Sequence, residues 1–167
     1  LDAFADALAP VRRAAKGGDF ESAIATCTEI LVAHMESDGF EALRTFADGL
    51  AAGAQLKEKV IERAADVKPQ VYIEIGPSPR RVTLVGADAA GIRVELQGNV
   101  MPISWRGVSP RRFYGIAAKL VDETSAHHLA LARYCATMGL RDEVRDELSR
   151  VGADLAEEAK RVGALVK

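Results

Sequence analysis

The chain predicts an α+β fold: helical hairpins at both ends enclose a central four-stranded antiparallel meander, twisted or rolled into a small barrel. Three observations carry this. Residues 71–105 alternate apolar and polar side chains with a period of two, which leaves one face dry and one wet. Both flanks instead space their apolar residues for helices. Aromatics are 5 % against 49 % hydrophobic residues, so the core must be mostly Ala, Leu, Val and Ile, which suits closely packed helices. Three regions follow: a helical region 1–67, a small β unit with its following helix 68–121, and a helical hairpin 122–167. If the two ends pack together, the β unit is an insertion in one helical domain.

Residues 1–17 read as helix, with Leu1, Phe4, Ala5 and Leu8 on one side. Pro10 either kinks it or opens a second helix. Gly17-Gly18 ends it, and Asp19 caps the next helix, whose stripe is Phe20, Ala23, Ile24, Cys27, Ile30, Leu31 and His34. Asp38 and Glu41, three apart, resemble a capping box for a helix carrying Phe40, Leu43, Phe46, Ala47 and Leu50. Gly49 and Gly53 weaken that helix or let a neighbour approach closely. Residues 55–66, with Val60, Ile61 and Ala64, continue it or form a separate short helix. Lys68-Pro69 stops it, because a residue before proline avoids the α region.

The β unit holds four alternations: Val71, Ile73 and Ile75; Val82 and Leu84; Ile92, Val94 and Leu96; Met101, Ile103 and Trp105. Gly76-Pro77-Ser78-Pro79 separates the first two. Gly98-Asn99 is a two-residue hairpin signal, and taking it as the turn pairs Leu96 with Met101, Val94 with Ile103 and Ile92 with Trp105. The loop Ala87–Gly91 sets Leu84 opposite Val94 and Val82 opposite Leu96. All these pairs are apolar on one face, and a one-residue slip would turn them to water. Pro102 belongs on an edge or at a bulge, where no ladder donor is needed.

Ser109-Pro110 starts a helix with Phe113, Ile116, Ala117 and Leu120 inward and Arg111, Arg112 and Lys119 outward. This helix is expected against the meander, since four short strands alone bury too little. Ser125 is placed to cap the next helix, with the stripe Leu129, Ala132, Cys135 and Met138. Gly139 ends it, with Leu140 making the accompanying hydrophobic contact. A last helix is expected from Arg141 to Val162, its stripe Val144, Leu148, Val151, Leu155 and Val162, its other positions solvated charge.

The net charge of the 167 residues is −2, but it is unevenly spread. Residues 68–121 carry eight basic side chains against Glu74, Asp88 and Glu95, a net +5, which leaves −7 for the rest. Such asymmetry speaks about partners. No run approaches 18 apolar residues, so no membrane span is expected, and no signal-peptide pattern is visible. Cys27 and Cys135 both fall on apolar helix faces, which reads as two buried thiols in a reducing compartment, the cytoplasm. Opening on Leu1, without Met, the chain reads as a cleaved product or a segment of a longer protein.

Gly18-Asp19-Phe20-Glu21-Ser22-Ala23-Ile24 resembles the inter-helix turn of tetratricopeptide repeats, with Gly, an acid and an aromatic ahead of a packed alanine. Met138-Gly139-Leu140-Arg141-Asp142-Glu143-Val144 resembles it again, and Leu131 and Ala132 match the expected pair on the preceding helix. Pro10 stands where the first copy should carry a large apolar residue, and the copies lie too far apart to be a tandem array. The resemblance implies a role in protein–protein contact. The β unit resembles SH3-like small barrels in pattern.

No catalytic signature emerges. Gly86–Gly91 lacks the Lys-Ser/Thr of a phosphate loop and opens no helix. His127 and His128 diverge by about 100° on a helix and do not share a metal, and no ligand spacing for zinc exists. Ser78, Ser104 and Ser109 fall in a turn, on a wet strand face and at a cap. The expectation is therefore no enzyme, no metal and no cofactor. The first functional reading is a protein-interaction or scaffolding module whose basic centre meets an acidic segment or the chain's own acidic helices. The second is a nucleic-acid-binding module that uses the basic 80–119 region. Candidate contacts are Tyr72, Arg80, Arg81, Arg93, Arg106, Arg111, Arg112 and Tyr114, with Trp105 and Phe113 given to the core. Nothing in the sequence sets an oligomeric state.

Overall fold

The computed structural model describes residues 1–166. Lys167, the last residue of the helical region read as 122–167, lies outside them. Helix α1 spans Ala5–Lys16 and α2 Phe20–Ala33. Pro10 sits inside α1 on its solvent side, so there is one helix here rather than two. The buried stripe is Phe4, Leu8, Val11 and Ala15, with Ala5 exposed. Asp19 caps α2, its Oδ1 accepting from the Ser22 N–H at 3.1 Å.

Helix α3 runs unbroken over Phe40–Val67, so residues 55–66 continue it. The expected capping box is not formed: Gly39 is the cap residue, and Glu41 pairs with Arg44 at 3.4 Å instead. The packing gives the reason. A Cβ at position 39 would press on the Phe4 ring, so the cap site takes glycine, and Asp38 stands one residue too early to serve. Lys68 ends the helix in the left-handed region (φ 48°), ahead of Pro69.

Strands β1 (Gln70–Ile75), β2 (Ser78–Ala87), β3 (Gly91–Leu96) and β4 (Asn99–Ser104) form one antiparallel meander in the order β1-β2-β3-β4. The sheet is open, with β1 and β4 as its edges. Val71 pairs with Val82, Leu84 with Val94, Val94 with Met101 and Ile92 with Ile103. These apolar pairs share the face turned to the helices. β2 is longer than read, beginning at Ser78, so Pro79, Arg80 and Arg81 are strand residues. An irregularity between Leu84 and Gly86 shifts the β2–β3 register by one. Pro102 lies on the edge strand β4.

The β3–β4 turn is Gln97-Gly98, not Gly98-Asn99. Both residues take positive φ, 53° and 81°, as a type I′ turn requires. The register is thus two residues from that expected. A shift of two preserves faces, so the apolar side survives, but Trp105 is no longer paired with Ile92. It opens a short 3-10 turn over Trp105–Gly107.

Helix α4 (Pro110–Ala117) starts on proline as expected and packs on β1. Helix α5 (Ser125–Met138) is capped by Thr124, which accepts from the His127 N–H at 3.3 Å; Ser125 instead accepts from the Gly152 N–H at 3.0 Å. Gly139 ends α5 at φ 76°, with the Leu140 N–H on the Cys135 carbonyl at 2.8 Å. The single helix expected from Arg141 to Val162 is two, α6 (Arg141–Leu148) and α7 (Ala156–Ala164). Its apolar stripe is real, but the chain turns at Ser149–Gly152, where Gly152 bonds Ser125.

The long helix α3 is the spine. It contacts α2, α4, α5, α7 and β2, and one cluster of buried residues extends from Phe4 to Val162. Phe20, Trp105, Phe113 and Tyr134 meet at its centre, with ring centroids 5.0–6.3 Å apart. Gly53 makes room for Phe20, whose Cζ would lie 2.8 Å from a Cβ there.

Candidate functional site

The basic residues of the β region do not all gather in one place. Tyr72 is 53 % exposed and stands opposite Arg81 on the outer face of the sheet. Arg80, opposite Ile73, shares the helix-facing side yet is exposed. Three arginines are held by the chain's own acids: Arg93 by Asp88 at 2.9 Å, Arg111 by Glu143 at 2.7 Å and Arg112 by Glu74 at 2.8 Å. Tyr72, Arg111 and Arg112 line one small hollow of about 100 Å³ beside α4. Arg106 lies elsewhere, at the α1–α2 turn. Tyr114, expected as an exposed contact, turns inward: its hydroxyl donates to Glu147 Oε1 at 2.6 Å. Its ring is partly buried against the core.

Around Arg106 the helical layer and the sheet meet in a hollow of about 290 Å³. Gly17, Gly18 and Asp19 form one wall, Lys57 of α3 another, Ala89 and Ala90 of the β2–β3 loop a third, and Ser104, Trp105 and Arg106 close it. A second hollow of about 470 Å³ shares Gly17, Asp19 and Arg106 and adds Pro10, Arg13 and Ala14. The two make one groove across the turn.

The local sequence dictates this junction. Gly18 is left-handed (φ 74°), and a Cβ there would stand 2.7 Å from Trp105 Cβ, so the residue must be glycine on both counts. Trp105 Nε1 donates to the Asp88 carbonyl at 2.9 Å. Asp88 Oδ1 in turn accepts from the N–H groups of Ala90 at 2.9 Å and Gly91 at 3.2 Å, which shapes the loop. Lys57 Nζ donates to the Gly18 carbonyl at 2.9 Å and lies 5.1 Å from the Trp105 ring centroid.

Three cations, Arg13, Lys57 and Arg106, thus line a groove with one acid, Asp19. Asp19 is held below the ordinary carboxylate range by its cap bonds to Ser22; burial opposes them, and Lys57 and Arg106 add lesser lowering effects. Burial lowers the Lys57 ammonium, and Asp19 opposes that in part.

A second polar constellation is buried between α4, α5 and α6, and the sequence reading passed over it. Glu147 is 1 % exposed. Its Oε2 lies 2.7 Å from His128 Nδ1, and His128 Nε2 faces Glu123 at 3.1 Å. With Tyr114 these groups satisfy one another. The spacing carried a signal: Glu147 follows Val144 by three, which places it on the apolar stripe and not on the wet face. No opening leads to it among the described hollows, and its residues belong to the packing.

Comparison of the chain with family models, with curated proteins and with solved structures finds no match in any of the three. Among the described residues no group of His, Cys, Asp and Glu could hold a metal ion, and no helix is long and apolar enough to cross a membrane. Both cysteines are buried and unpaired; burial pushes the Cys27 thiol up to about 11 and raises Cys135 further. What the groove offers is positive charge over an aromatic floor, which suits an anionic group on a flat or apolar carrier.

Proposed function

We propose that this chain is a non-catalytic interaction module that takes an acidic segment of a partner protein into the groove at the α1–α2 turn. The observation that carries the reading is that Lys57 and Arg106 line one hollow with Trp105, and Arg13 and Arg106 line the hollow adjoining it, with Asp19 as the acid common to both. The rest of the basic centre supports it from the other side: Arg93, Arg111 and Arg112 are engaged with the chain's own carboxylates, so their charge serves the fold. The helical hairpins α1–α2 and α5–α6 suit a protein-contact role, as the tetratricopeptide-like turns imply. A reducing compartment such as the cytoplasm fits two free thiols.

The test is fluorescence anisotropy of a labelled oligoglutamate peptide, titrated with the chain at low and near-physiological salt. Binding that weakens by about tenfold or more in Arg106→Glu and Arg13→Glu, and weakens with salt, is the expected result. No binding at low salt overturns it.

A second reading, nucleic-acid binding, draws on Tyr72 and Arg81, exposed side by side on the outer face of the β1–β2 hairpin, with Arg80 exposed on the opposite face of the same strand. Labelled single-stranded RNA and DNA in the same assay decide it: a steep salt slope, lost on Arg80→Gln with Arg81→Gln, favours this reading over the first.

A further inference from the structure

We infer that Lys57 is an acylation site, whose Nζ accepts an acyl group from an acyl phosphate bound in the groove. This rests on the reading of the groove as an anion site and adds what the site does to its own lysine. Four observations support it. Lys57 is half-buried but opens into the hollow, so its amine is neither sealed nor fully hydrated. Its Nζ makes one hydrogen bond, to the Gly18 carbonyl, which fixes its place without consuming the nitrogen's other positions. The neighbouring walls are Ala89, Ala90 and the Trp105 face, small and apolar, with room for a short acyl chain. Arg106 shares that hollow and Arg13 the adjoining one, where their guanidinium groups suit a phosphate.

Desolvation is one way in which proteins activate lysine amines, and burial acts on Lys57 in that direction, with Asp19 opposing it in part. The step balances simply. The ammonium first loses a proton to water. The neutral nitrogen's lone pair then forms the N–C bond to the acyl carbon, the bond from that carbon to the bridging oxygen breaks while the O–P bond stays intact, and inorganic phosphate leaves with that electron pair. The nitrogen sheds its second proton to solvent as the amide forms. The product keeps one N–H for Gly18 but loses the charge, so the groove's affinity for acids falls.

The experiment compares lysines within one folded protein. The chain is incubated with acetyl phosphate or, separately, with a neutral acetyl thioester, and site occupancy is followed by peptide mass spectrometry. Lys59, exposed on the same helix and paired with Glu62, is the internal reference. The expected result is several-fold faster acetylation at Lys57 than at Lys59, with a larger preference for acetyl phosphate than for the thioester, and loss of that difference in Arg106→Gln. Equal or slower reaction at Lys57 overturns the proposal, and so does a preference that is the same for both donors. Oligoglutamate binding is measured on the same samples. Selective acetylation of a protein that never binds the peptide defeats the docking reading alone; peptide binding without selective acetylation defeats the acylation site alone.

Discussion

A single methyl group has opposite consequences at two glycines. At Gly49 a Cβ would collide with Thr137 Oγ1 and lie 2.7 Å from the Arg133 carbonyl, so α3 and α5 would have to part. Gly49→Ala should therefore cost about 1–3 kcal/mol despite the better helix propensity of alanine, read as a lowered urea midpoint. At Gly115, inside α4, a Cβ meets nothing within 4 Å. Gly115→Ala should gain up to about 1 kcal/mol in the same assay. A midpoint that moves the same way in both would contradict this. Glu147 is the other decisive residue. Glu147→Ala removes the partner of the Tyr114 hydroxyl and of His128 Nδ1, at about 1–3 kcal/mol for each buried group left unpaired. Glu147→Gln keeps an acceptor for Tyr114 and should lose less. An alanine variant as stable as the parent would show that the cluster does not hold α4, α5 and α6 together.

At the scale of elements, the β3–β4 hairpin carries a correctable strain. Gln97 adopts φ 53° in its turn, a region that costs a non-glycine residue about 1–2 kcal/mol. Gln97→Gly should raise stability by about 0.5–1 kcal/mol, checked by thermal unfolding; a fall would mean that the side chain makes a compensating contact. The same residue explains an error of reading. The strand alternation named the correct face for Ile92, Val94, Met101 and Ile103, because period two follows from the pleat alone. It could not place the turn, since a glutamine in the left-handed region is rare and Gly98-Asn99 offers the commoner pattern. Helix ends failed for a related reason. Asp19, with no competitor, was legible as a cap, whereas Asp38 and Ser125 each lost to a neighbour through contacts made with distant residues, the Phe4 ring and the Gly152 N–H. The break between α6 and α7 was invisible because the stripe of Val144, Leu148, Val151 and Leu155 continues through the turn.

Over the whole molecule, burial moves two thiols and two phenols in the same direction. Burial raises Cys27, Cys135, Tyr114 and Tyr134, with Glu147 adding to the effect on Tyr114. A group raised in the folded state ionises first in the unfolded chain. Its contribution is complete below the unfolded value and is lost as pH climbs through the folded one. For Cys27 that window runs from 9.0 to about 11. The melting temperature should therefore fall steadily through this range, and a flat profile would be inconsistent with these burials. The groove was less legible than the fold. Arg106 was named from its charge, but Lys57 and Arg13 come from helices far away in sequence, and only the tertiary fold brings them to it.

The seam between α3 and α5 has a consequence in time. Thr137 Oγ1 donates to the Phe46 carbonyl across 91 residues of chain. The meander, by contrast, pairs each strand with its neighbour in sequence, and the two terminal hairpins close on themselves. Local contacts form cheaply and early, whereas closing so long a loop must wait for partners already ordered. The seam should thus be unmade in the rate-limiting barrier. Weakening it, as Gly49→Ala does, would hasten unfolding and leave the refolding limb of a chevron plot almost untouched, so the lifetime of the native state is governed by a contact that plays little part in reaching it.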